Sequence, residues 1–287
     1  MEKPFLSFLL LLFSPTLISS LPYYYPTTKN ILNPIDSCWR ADPNWSNHRQ
    51  NLANCAVGFG ASAMGGKYGP IYIVTDSSDD PINPKPGTLR YAAIQDNPLW
   101  IIFSRSMSIR LRNELIMNSY KTIDGRGASV SIGGGGPCIT IQNVNHIIVH
   151  GIVLHGCARG SSGNVRSSPE HVGHRIGSHG DGVNIWHSTD VWIDHCSMSE
   201  CYDGLVDVTH GSTRVTKRVE GNWKNWKWRS TKDVFLNGAY FVPSGWGSCS
   251  PGYSAQQQFY VAPGTMVPSL TSNAGVLNCL TGKACVY

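Results

Sequence analysis

Three aspartates in the second half of the sequence have the type and spacing of a metal site. Asp181 and Asp203 each precede a glycine and lie 22 residues apart, and Asp207 follows shortly afterwards. If the two Asp-Gly pairs occupy equivalent positions of stacked coils, they lie about 4.8 Å apart, the ordinary spacing between strands. Carboxylates this close repel one another unless a cation lies between them, and oxygen ligands favour a hard ion such as Ca²⁺. The spacing therefore predicts a calcium site formed by Asp181, Asp203 and Asp207.

The alternative is that the same aspartates are exposed turn residues. Asp-Gly pairs commonly stabilise tight bends without binding anything. The two interpretations differ in whether the three side chains converge, and spacing alone leaves both open.

The 22-residue repeat also indicates the architecture that positions these side chains. Short β-branched runs separated by Gly, Ser, Asn and Asp turns at such a period are typical of a solenoid. In the first repeat, Val183 and Ile185 are expected to point inward, whereas Asn184 and Trp186 point outward. The fold class predicted is all-β, a right-handed parallel β-helix.

The second repeat fits only with a shift of one residue. Strict registration at 22 residues would bury Asp207 beside Ile185, which is costly for an unpaired carboxylate. We therefore expect Val206 and Val208 to point inward and Gly204 to absorb the shift.

The same pattern extends upstream. Residues 139–154 align without a gap on residues 183–198, and residues 158–180 between these coils are expected to form a surface loop. Residues 88–96 are expected to be helical, with Thr88 as the N-cap. Earlier short strands are predicted at residues 71–75, 99–103, 107–111, 121–124, 130–132, 139–141 and 147–149.

The N-terminal sequence predicts export from the cell. Residues 1–20 have the apolar centre and small final residues of a signal peptide, and residues 21–33 are expected to be irregular. No later segment resembles a membrane span, so we expect a secreted, extracellular protein. Asn44 then begins a possible N-glycosylation sequence with Trp45 and Ser46.

The charge favours an acidic partner. The formal net charge is +5, but there is no basic run and no zinc-finger spacing, so we expect no nucleic-acid partner. An acidic polysaccharide fits an exported protein better, and we expect a monomer.

Nine cysteines in an exported chain predict disulfides with one cysteine left over. Cys38 and Cys55 are close enough in sequence for a local bridge, and so are Cys279 and Cys285. The remaining five are left unassigned: Cys138, Cys157, Cys196, Cys201 and Cys249.

Histidines and tryptophans offer further candidates for function. Nine of the ten histidines lie between His146 and His210, but they scatter over different strands and turns. We expect polar surface roles for most of them rather than a histidine metal site. Residues 217–287 are expected to cover the open end of the coil, and the tryptophans of this segment to pack over it. The alternative is that these tryptophans stack on sugar rings: Trp223, Trp226 and Trp228.

Several motifs resemble those of the plant pectate lyases, polysaccharide lyases of family 1 with a parallel β-helix fold. They occur in the expected order and cover nearly all of the chain after the leader. They include CWRADPNW, GGKYGPIYIVTDSSDD, NPKPGTLRYA, KTIDGRGASV, VWIDHCSMSECYDGLVDVTHGST and WKNWKWRS.

The resemblance implies calcium-dependent β-elimination of α-1,4-linked polygalacturonate, the de-esterified form of pectin. In such enzymes Ca²⁺ bridges protein carboxylates and the galacturonate carboxylate, which acidifies the C5 proton that an arginine removes. Asp203 and Asp207 match two calcium ligands of the family, and Asp181 matches the second aspartate of its Asp-Gly-Asp-Gly motif. The first aspartate of that motif, also a ligand, is His179 here.

A second departure concerns the catalytic residues. After Gly211, Ser212 and Thr213 the family continues with coils that carry a catalytic lysine and the arginine base, whereas this chain passes directly to the C-terminal tryptophan motif. No residue is therefore assigned a catalytic role, and Arg214 and Arg218 stand outside the family motif.

Two hypotheses follow. The first is a calcium-dependent pectate lyase by descent, impaired because the arginine segment is absent. The second is a non-catalytic or vestigial pectate-binding β-helix, from a truncated transcript or gene model, shortened by the loss of interior coils.

Overall fold

Short strands form the body of the protein over the residues that the computed structural model describes, 34–215, 242, 263–266, 268 and 273–285. Their bounds are β1 Ile71–Val74, β2 Leu99–Phe103, β3 Met107–Ile109, β4 Leu115–Met117, β5 Lys121–Asp124, β6 Val130–Gly133, β7 Ile139–Gln142, β8 Asn145–His150, β9 Val153–His155, β10 Gly163–Arg166, β11 Val172–Arg175, β12 Val183–Trp186, β13 Thr189–Asp194, β14 Ser197–Ser199 and β15 Val206–Thr209.

All strands except the β10–β11 pair belong to three parallel sheets. Their orders are β1-β2-β5-β8-β13, β3-β6-β9-β14 and β4-β7-β12-β15. Each turn of the chain adds one strand to each sheet. The described residues form four successive coils in this way: β2–β4, β5–β7, β8 with β9 and β12, and β13–β15. This stacking is a parallel β-helix, and it confirms the fold predicted from the repeat.

The strand register confirms the shift of one residue in the second repeat. Val183 pairs with Val206, and Asn184 pairs with Asp207. Val208 is 9% exposed, whereas Val206 is 44% exposed because β15 is the last strand of its sheet among the described residues. The alignment of residues 139–154 on 183–198 is likewise confirmed by strand pairing.

A continuous stack of aliphatic side chains fills the inside of the coils. Ile139, Ile141, Val183 and Ile185 are at most 1% exposed and belong to one cluster that extends from Val74 onward. Burial of such a side chain contributes about 1.5–3 kcal/mol. The alternation of β-branched residues therefore fixes which face of each strand points inward.

Helical segments cover the outer face of the β1-β2-β5-β8-β13 sheet. Helix α1, Pro34–Trp39, contributes Trp39 to a second cluster of buried residues, the turns that follow it contribute Trp45, and the 3-10 helix Arg49–Cys55 contributes Leu52. Trp192 is only 6% exposed on this outer face because the cluster covers it. Other members come from the C-terminal region: Leu277, Cys279 and Cys285.

A short helix precedes the second strand, as predicted. Helix α2, Leu89–Ala93, begins after Thr88, whose hydroxyl accepts a hydrogen bond from Tyr91 N. The sequence prediction extended this helix to residue 96, but the helix ends at Ala93.

The excursion between β9 and β12 is more ordered than the predicted surface loop. β10 and β11 form an antiparallel hairpin in which Gly163 pairs with Arg175. The prediction of a loop was wrong for these residues, because a polar, glycine-rich composition gives no alternation of apolar side chains by which to recognise a hairpin.

Three disulfides are present in the described part of the chain. The bridges Cys38–Cys55 and Cys279–Cys285 confirm the two pairings expected from proximity. Cys138–Cys157 links two adjacent coils and resolves two of the unassigned cysteines. Cys196 and Cys201 are free thiols, and Cys249 lies outside the described residues.

Several predictions fall on residues that the structure does not describe. They concern the signal peptide at 1–20, the irregular segment at 21–33, most of the covering segment at 217–287, and the tryptophans Trp223, Trp226 and Trp228. A search of the described helices for one long and apolar enough to cross a membrane found none.

Candidate metal centre

The predicted metal ligands lie at one side of the last two described coils. Asp181 directly precedes the start of β12, Asp203 lies in the turn between β14 and β15, and Asp207 lies within β15. The stacking of β15 on β12 brings these segments together even though they are far apart along the coil path.

Asp181 is the buried member of the set, with an exposed fraction of 6%. Gly204 N donates a hydrogen bond of 2.9 Å to Asp181 Oδ1, and Asn184 Nδ2 donates one of 3.2 Å to Oδ2. Both donors come from the same pair of coils, so the fold fixes the position of this carboxylate before any ligand arrives.

His179 joins Asp181 and Asp203 in a cluster. One ligand atom from each residue, an imidazole nitrogen or a carboxylate oxygen, lies within 4.8 Å of the other two. His179 and Asp203 are exposed. The cluster therefore opens to solvent and rests on the buried carboxylate of Asp181.

Asp207 approaches the cluster from the neighbouring strand. Its partner in the register is Asn184, which also binds Asp181. A β-carbon built on Gly204 would lie 3.0 Å from Asp181 Oδ1 and 4.0 Å from Asp207 Cβ. Asp207 is not a member of the cluster of His179, Asp181 and Asp203, so a site shared by all three predicted aspartates stays a prediction.

A cleft of about 530 Å³ contains this region. Asp181 and Asp207 line it together with a buried ion pair, in which Arg175 Nε lies 2.9 Å from Glu114 Oε1. Arg175 ends the β10–β11 hairpin, so the excursion forms one wall of the cleft.

The opposite part of the cleft carries an aromatic pair. Trp186 and His210 stack with ring centroids 3.3 Å apart and an interplanar angle of 22°. Trp186 is 38% exposed, as its predicted outward orientation requires. An aromatic ring beside carboxylates offers a flat apolar face against which a sugar ring could pack.

The donor set fits a divalent cation. The carboxylates of Asp181, Asp203 and Asp207 supply the oxygen ligands that Ca²⁺ prefers. His179 is the exception, because an imidazole nitrogen is a poorer ligand for a hard cation than a carboxylate.

A second cluster, which the sequence analysis did not find, lies beneath helix α1. His150 Nδ1 and His195 Nδ1 lie 2.9 and 2.8 Å from Asp194 Oδ2. His195 Nε2 lies 2.9 Å from Asp36 Oδ1, and Asp36 Oδ2 forms an ion pair with Arg40. The concentration of histidines between residues 146 and 210 was its only signal in the sequence.

The charges in this buried cluster set its protonation. Burial opposes the charged form of His195, but the hydrogen bonds and charges of Asp194 and Asp36 outweigh it and raise the pKa of His195 to about 9. Burial also opposes ionisation of Asp194, yet its two histidine neighbours hold its pKa well below the ordinary value. Burial lowers the pKa of His150 despite the nearby Asp194. The arrangement fits a neutral His150 and a charged His195 that bind one carboxylate.

Comparison with known proteins gives many matches at high identity. "Putative pectate lyase 2" of Arabidopsis thaliana is 46% identical, over 91% of this chain and 93% of the relative. The pectate lyase of Zinnia elegans is 42% identical, over 88% of this chain and 87% of the relative. No protein-family model matches the chain.

This chain belongs to the pectate lyase family. The crystal structure of Jun a 1, the major allergen from cedar pollen, superposes with a TM-score of 0.78 at 36% sequence identity, over 85% of this chain and 99% of that one. The pectate lyase relatives and this similar structure agree with the parallel β-helix described above.

The alignments with pectate lyases are longer than this chain. The match to the Arabidopsis thaliana relative extends over 357 positions, whereas the whole chain has 287 residues. The relative therefore contains aligned residues that have no counterpart here.

Arg214 lies close to the predicted departure from the family pattern. Its guanidinium is paired with an aspartate of the same protein. Its Nε and Nη2 atoms form a bidentate ion pair with the carboxylate of Asp190. The hydrogen bond to Asp190 raises the pKa of Arg214 above its already high ordinary value. This guanidinium is therefore a poor candidate for a base in a pectate lyase reaction.

Proposed function

We propose that this member of the pectate lyase family binds polygalacturonate through a divalent cation held by Asp181, Asp203 and Asp207, and that its lyase turnover is impaired. The observation that carries the proposal is the cluster of His179, Asp181 and Asp203, whose members His179 and Asp181 line one cleft together with Asp207. In the family the cation is Ca²⁺, as the resemblance implies.

A cation bound here would neutralise the galacturonate carboxylate and make the neighbouring C5 proton more acidic. The protein's own part is to hold the acidic ligands in place. Asn184 and Gly204 N fix Asp181, and the stacked rings of Trp186 and His210 offer an apolar face to a sugar ring. Arg175 stays paired with Glu114, which maintains the wall of the cleft.

Impaired turnover follows from the residues that this chain lacks. β-Elimination needs a group that accepts the C5 proton, and the family's arginine lies in a segment with no match in this sequence. The length of the alignment supports an internal loss, because the relatives carry additional aligned residues. Arg214 does not replace the missing base, since it is bound to Asp190.

The expected setting is the extracellular space and the cell wall. Three disulfides are consistent with an oxidising compartment. Asn44, the first residue of the glycosylation sequence, is exposed and therefore accessible for modification. The predicted signal peptide at residues 1–20 supplies the route, and we expect the chain to act as a monomer.

The second candidate function is a non-catalytic pectate-binding protein. The same cleft supports it, because binding needs the cation and the carboxylates but no base. The two candidates differ only in whether bound polygalacturonate is cleaved.

The test measures binding and cleavage separately on the purified chain. With Ca²⁺ present, we expect retention on immobilised polygalacturonate that a chelator abolishes, and no 4,5-unsaturated product by ultraviolet absorbance. Asp203→Asn should remove the retention. Glu200→Gln is the matched control, because Glu200 is an exposed carboxylate paired with His155 rather than with the cluster.

Two outcomes contradict the proposal. Chelator-sensitive accumulation of unsaturated product would show an active enzyme. Retention that is unaffected by Asp203→Asn would show that the sugar binds elsewhere.

A further inference from the structure

The exposed histidine in the metal cluster changes the kind of ion that the cluster should bind. His179 stands beside Asp181 and Asp203 with ligand atoms within 4.8 Å of one another. These atoms are close enough for one ion to contact all three. The cluster therefore offers one nitrogen donor among oxygen donors.

Nitrogen and oxygen donors select different metals. Ca²⁺ takes oxygen ligands and gains little from imidazole, whereas imidazole is a good ligand for first-row transition metals. For a given site the affinity rises from Mn²⁺ through Co²⁺ toward Cu²⁺. A carboxylate-to-imidazole exchange also removes one negative charge, which weakens binding of a hard cation most.

The cleft that His179 and Asp181 line also contains a buried acidic side chain. Glu114 is 1% exposed and lines the same cleft, yet its Oε2 atom has no hydrogen-bond partner within the described structure. A buried carboxylate oxygen without a donor is costly. The other oxygen of Glu114, Oε1, is paired with Arg175, so this side chain is a buried acidic group in the wall of the cleft that His179 and Asp181 also line.

We propose that His179, Asp181 and Asp203 form a mixed imidazole–carboxylate site that binds a transition-metal ion such as Co²⁺ or Mn²⁺ more tightly than Ca²⁺. The inference rests on the proposed function, because it assigns a cation preference to the same site. It predicts that this chain differs in metal selectivity from relatives that carry an aspartate at the position of His179.

Calorimetric titration of the full chain with Co²⁺ and with Ca²⁺ tests this selectivity without any measurement of activity. We expect the unaltered chain to bind Co²⁺ at least about tenfold more tightly than Ca²⁺. His179→Asp should reverse the order, with a gain of about tenfold in Ca²⁺ affinity from the added carboxylate. The Co²⁺ absorption spectrum should lose its imidazole-coordinated signature in the same variant.

Control variants separate this site from the other histidines. His171→Asp adds the same charge at an exposed histidine of the hairpin turn, and we expect it to leave both titrations unchanged. Asp181→Asn should remove the heat of the specific site and leave any Co²⁺ bound by the His150–Asp194–His195 cluster. His179→Ala should lose Co²⁺ affinity without gaining Ca²⁺ affinity, which isolates the role of the nitrogen.

The outcomes distinguish the inference from the proposed function. If the unaltered chain prefers Ca²⁺ and His179→Asp leaves the ratio of affinities unchanged, the inference is overturned while cation-dependent pectate binding stands. If neither ion produces a binding signal that depends on Asp181, both proposals fall.

Discussion

At the scale of single residues, charge and burial together decide what each acidic or basic side chain does. Asp181 and Asp194 are both largely buried aspartates, but their surroundings differ. Asp181 accepts hydrogen bonds from a backbone amide and an amide side chain at the edge of a cleft. Asp194 lies between two histidines under helix α1. We propose that the first binds an external cation, whereas the second is already bound by His150 and the charged His195.

His195 gives a prediction about the pH dependence of stability. Its pKa is raised to about 9 in the folded protein from 6.5, so its stabilising effect is complete below about pH 6.5 and is lost as the pH rises through about 9. His195→Gln should remove up to about 3 kcal/mol of unfolding free energy at pH 6 and much less at pH 10. Denaturant unfolding of both chains across this pH range measures the difference.

The matched control is His155→Gln, because His155 is an exposed histidine that contacts Ser199. We expect its unfolding free energy to follow that of the unaltered chain at every pH. A difference between His195→Gln and the unaltered chain that stays constant from pH 6 to pH 10 would contradict the charged state assigned to His195.

At the scale of elements, the β10–β11 hairpin shows how an inserted segment becomes part of the site. Arg166 N and Nε donate hydrogen bonds to Pro81 O and Ile82 O, and Arg175 pairs with the buried Glu114. Asn113 Nδ2 donates to Ser161 O at the base of the excursion. These contacts fix a polar segment that has little apolar surface of its own.

The Arg175–Glu114 ion pair therefore should control the order of the hairpin. Arg175→Met leaves the Glu114 carboxylate buried without its charged partner, which should lower the unfolding free energy by about 2 kcal/mol. Backbone amides of residues 163–175 should exchange hydrogen faster in this variant. Hydrogen exchange with mass spectrometry and denaturant unfolding check the two effects.

The double variant Arg175→Met with Glu114→Gln tests whether the unpaired charge of Glu114 causes the loss of unfolding free energy. Because it removes the buried charge, we expect it to recover part of the lost stability. Arg110→Met serves as the control at an exposed arginine. If the double variant is less stable than Arg175→Met, the unpaired charge is not the reason for the loss.

At the scale of the whole molecule, stacked coils make the fold modular but sensitive to internal deletions. Each coil contacts its neighbours through three parallel sheets, and one aliphatic core continues through all of them. Removal of interior coils is tolerated only when the coils on either side of the join still stack. If coils are missing after Thr216, as the sequence analysis predicts, we expect that join to be the point at which folding and turnover are most at risk.

An insertion experiment tests whether the missing segment accounts for impaired turnover. The coils of the Zinnia elegans pectate lyase that have no counterpart here would be inserted after Thr216. We expect the chimera to release unsaturated product from polygalacturonate, measured by ultraviolet absorbance, where the unaltered chain releases none. Sequencing of the transcript across the codons for residues 216–223 shows whether the natural message contains those coils.

The control chimera carries alanine in place of the inserted segment's arginine base. It should fold and bind as the first chimera does but remain inactive. Equal product from the unaltered chain and the active chimera would show that the absent segment is dispensable.

Much of the fold was predictable because a β-helix repeats a local pattern. The alternation around Val183 and Ile185, the shift at Gly204 and the capping role of Thr88 depend on residues close together in sequence. Short spacing also revealed Cys38–Cys55 and Cys279–Cys285. The motifs that resemble pectate lyases, together with these local patterns, identified the architecture, and they predict Asp181, Asp203 and Asp207 as metal ligands.

The tertiary structure alone decided which distant groups meet. Asp36 contacts His195, Cys138 bonds to Cys157, and Arg175 pairs with Glu114, although none of these pairs follows from local alternation. Such contacts depend on how coils, the hairpin and helix α1 pack around one another. Sequence by itself therefore determined the repeating strand pattern and the family, because both are encoded in short segments. Only packing decided the charge partners of Asp36, Asp194 and Glu114, because those depend on distances between segments that the sequence order does not fix.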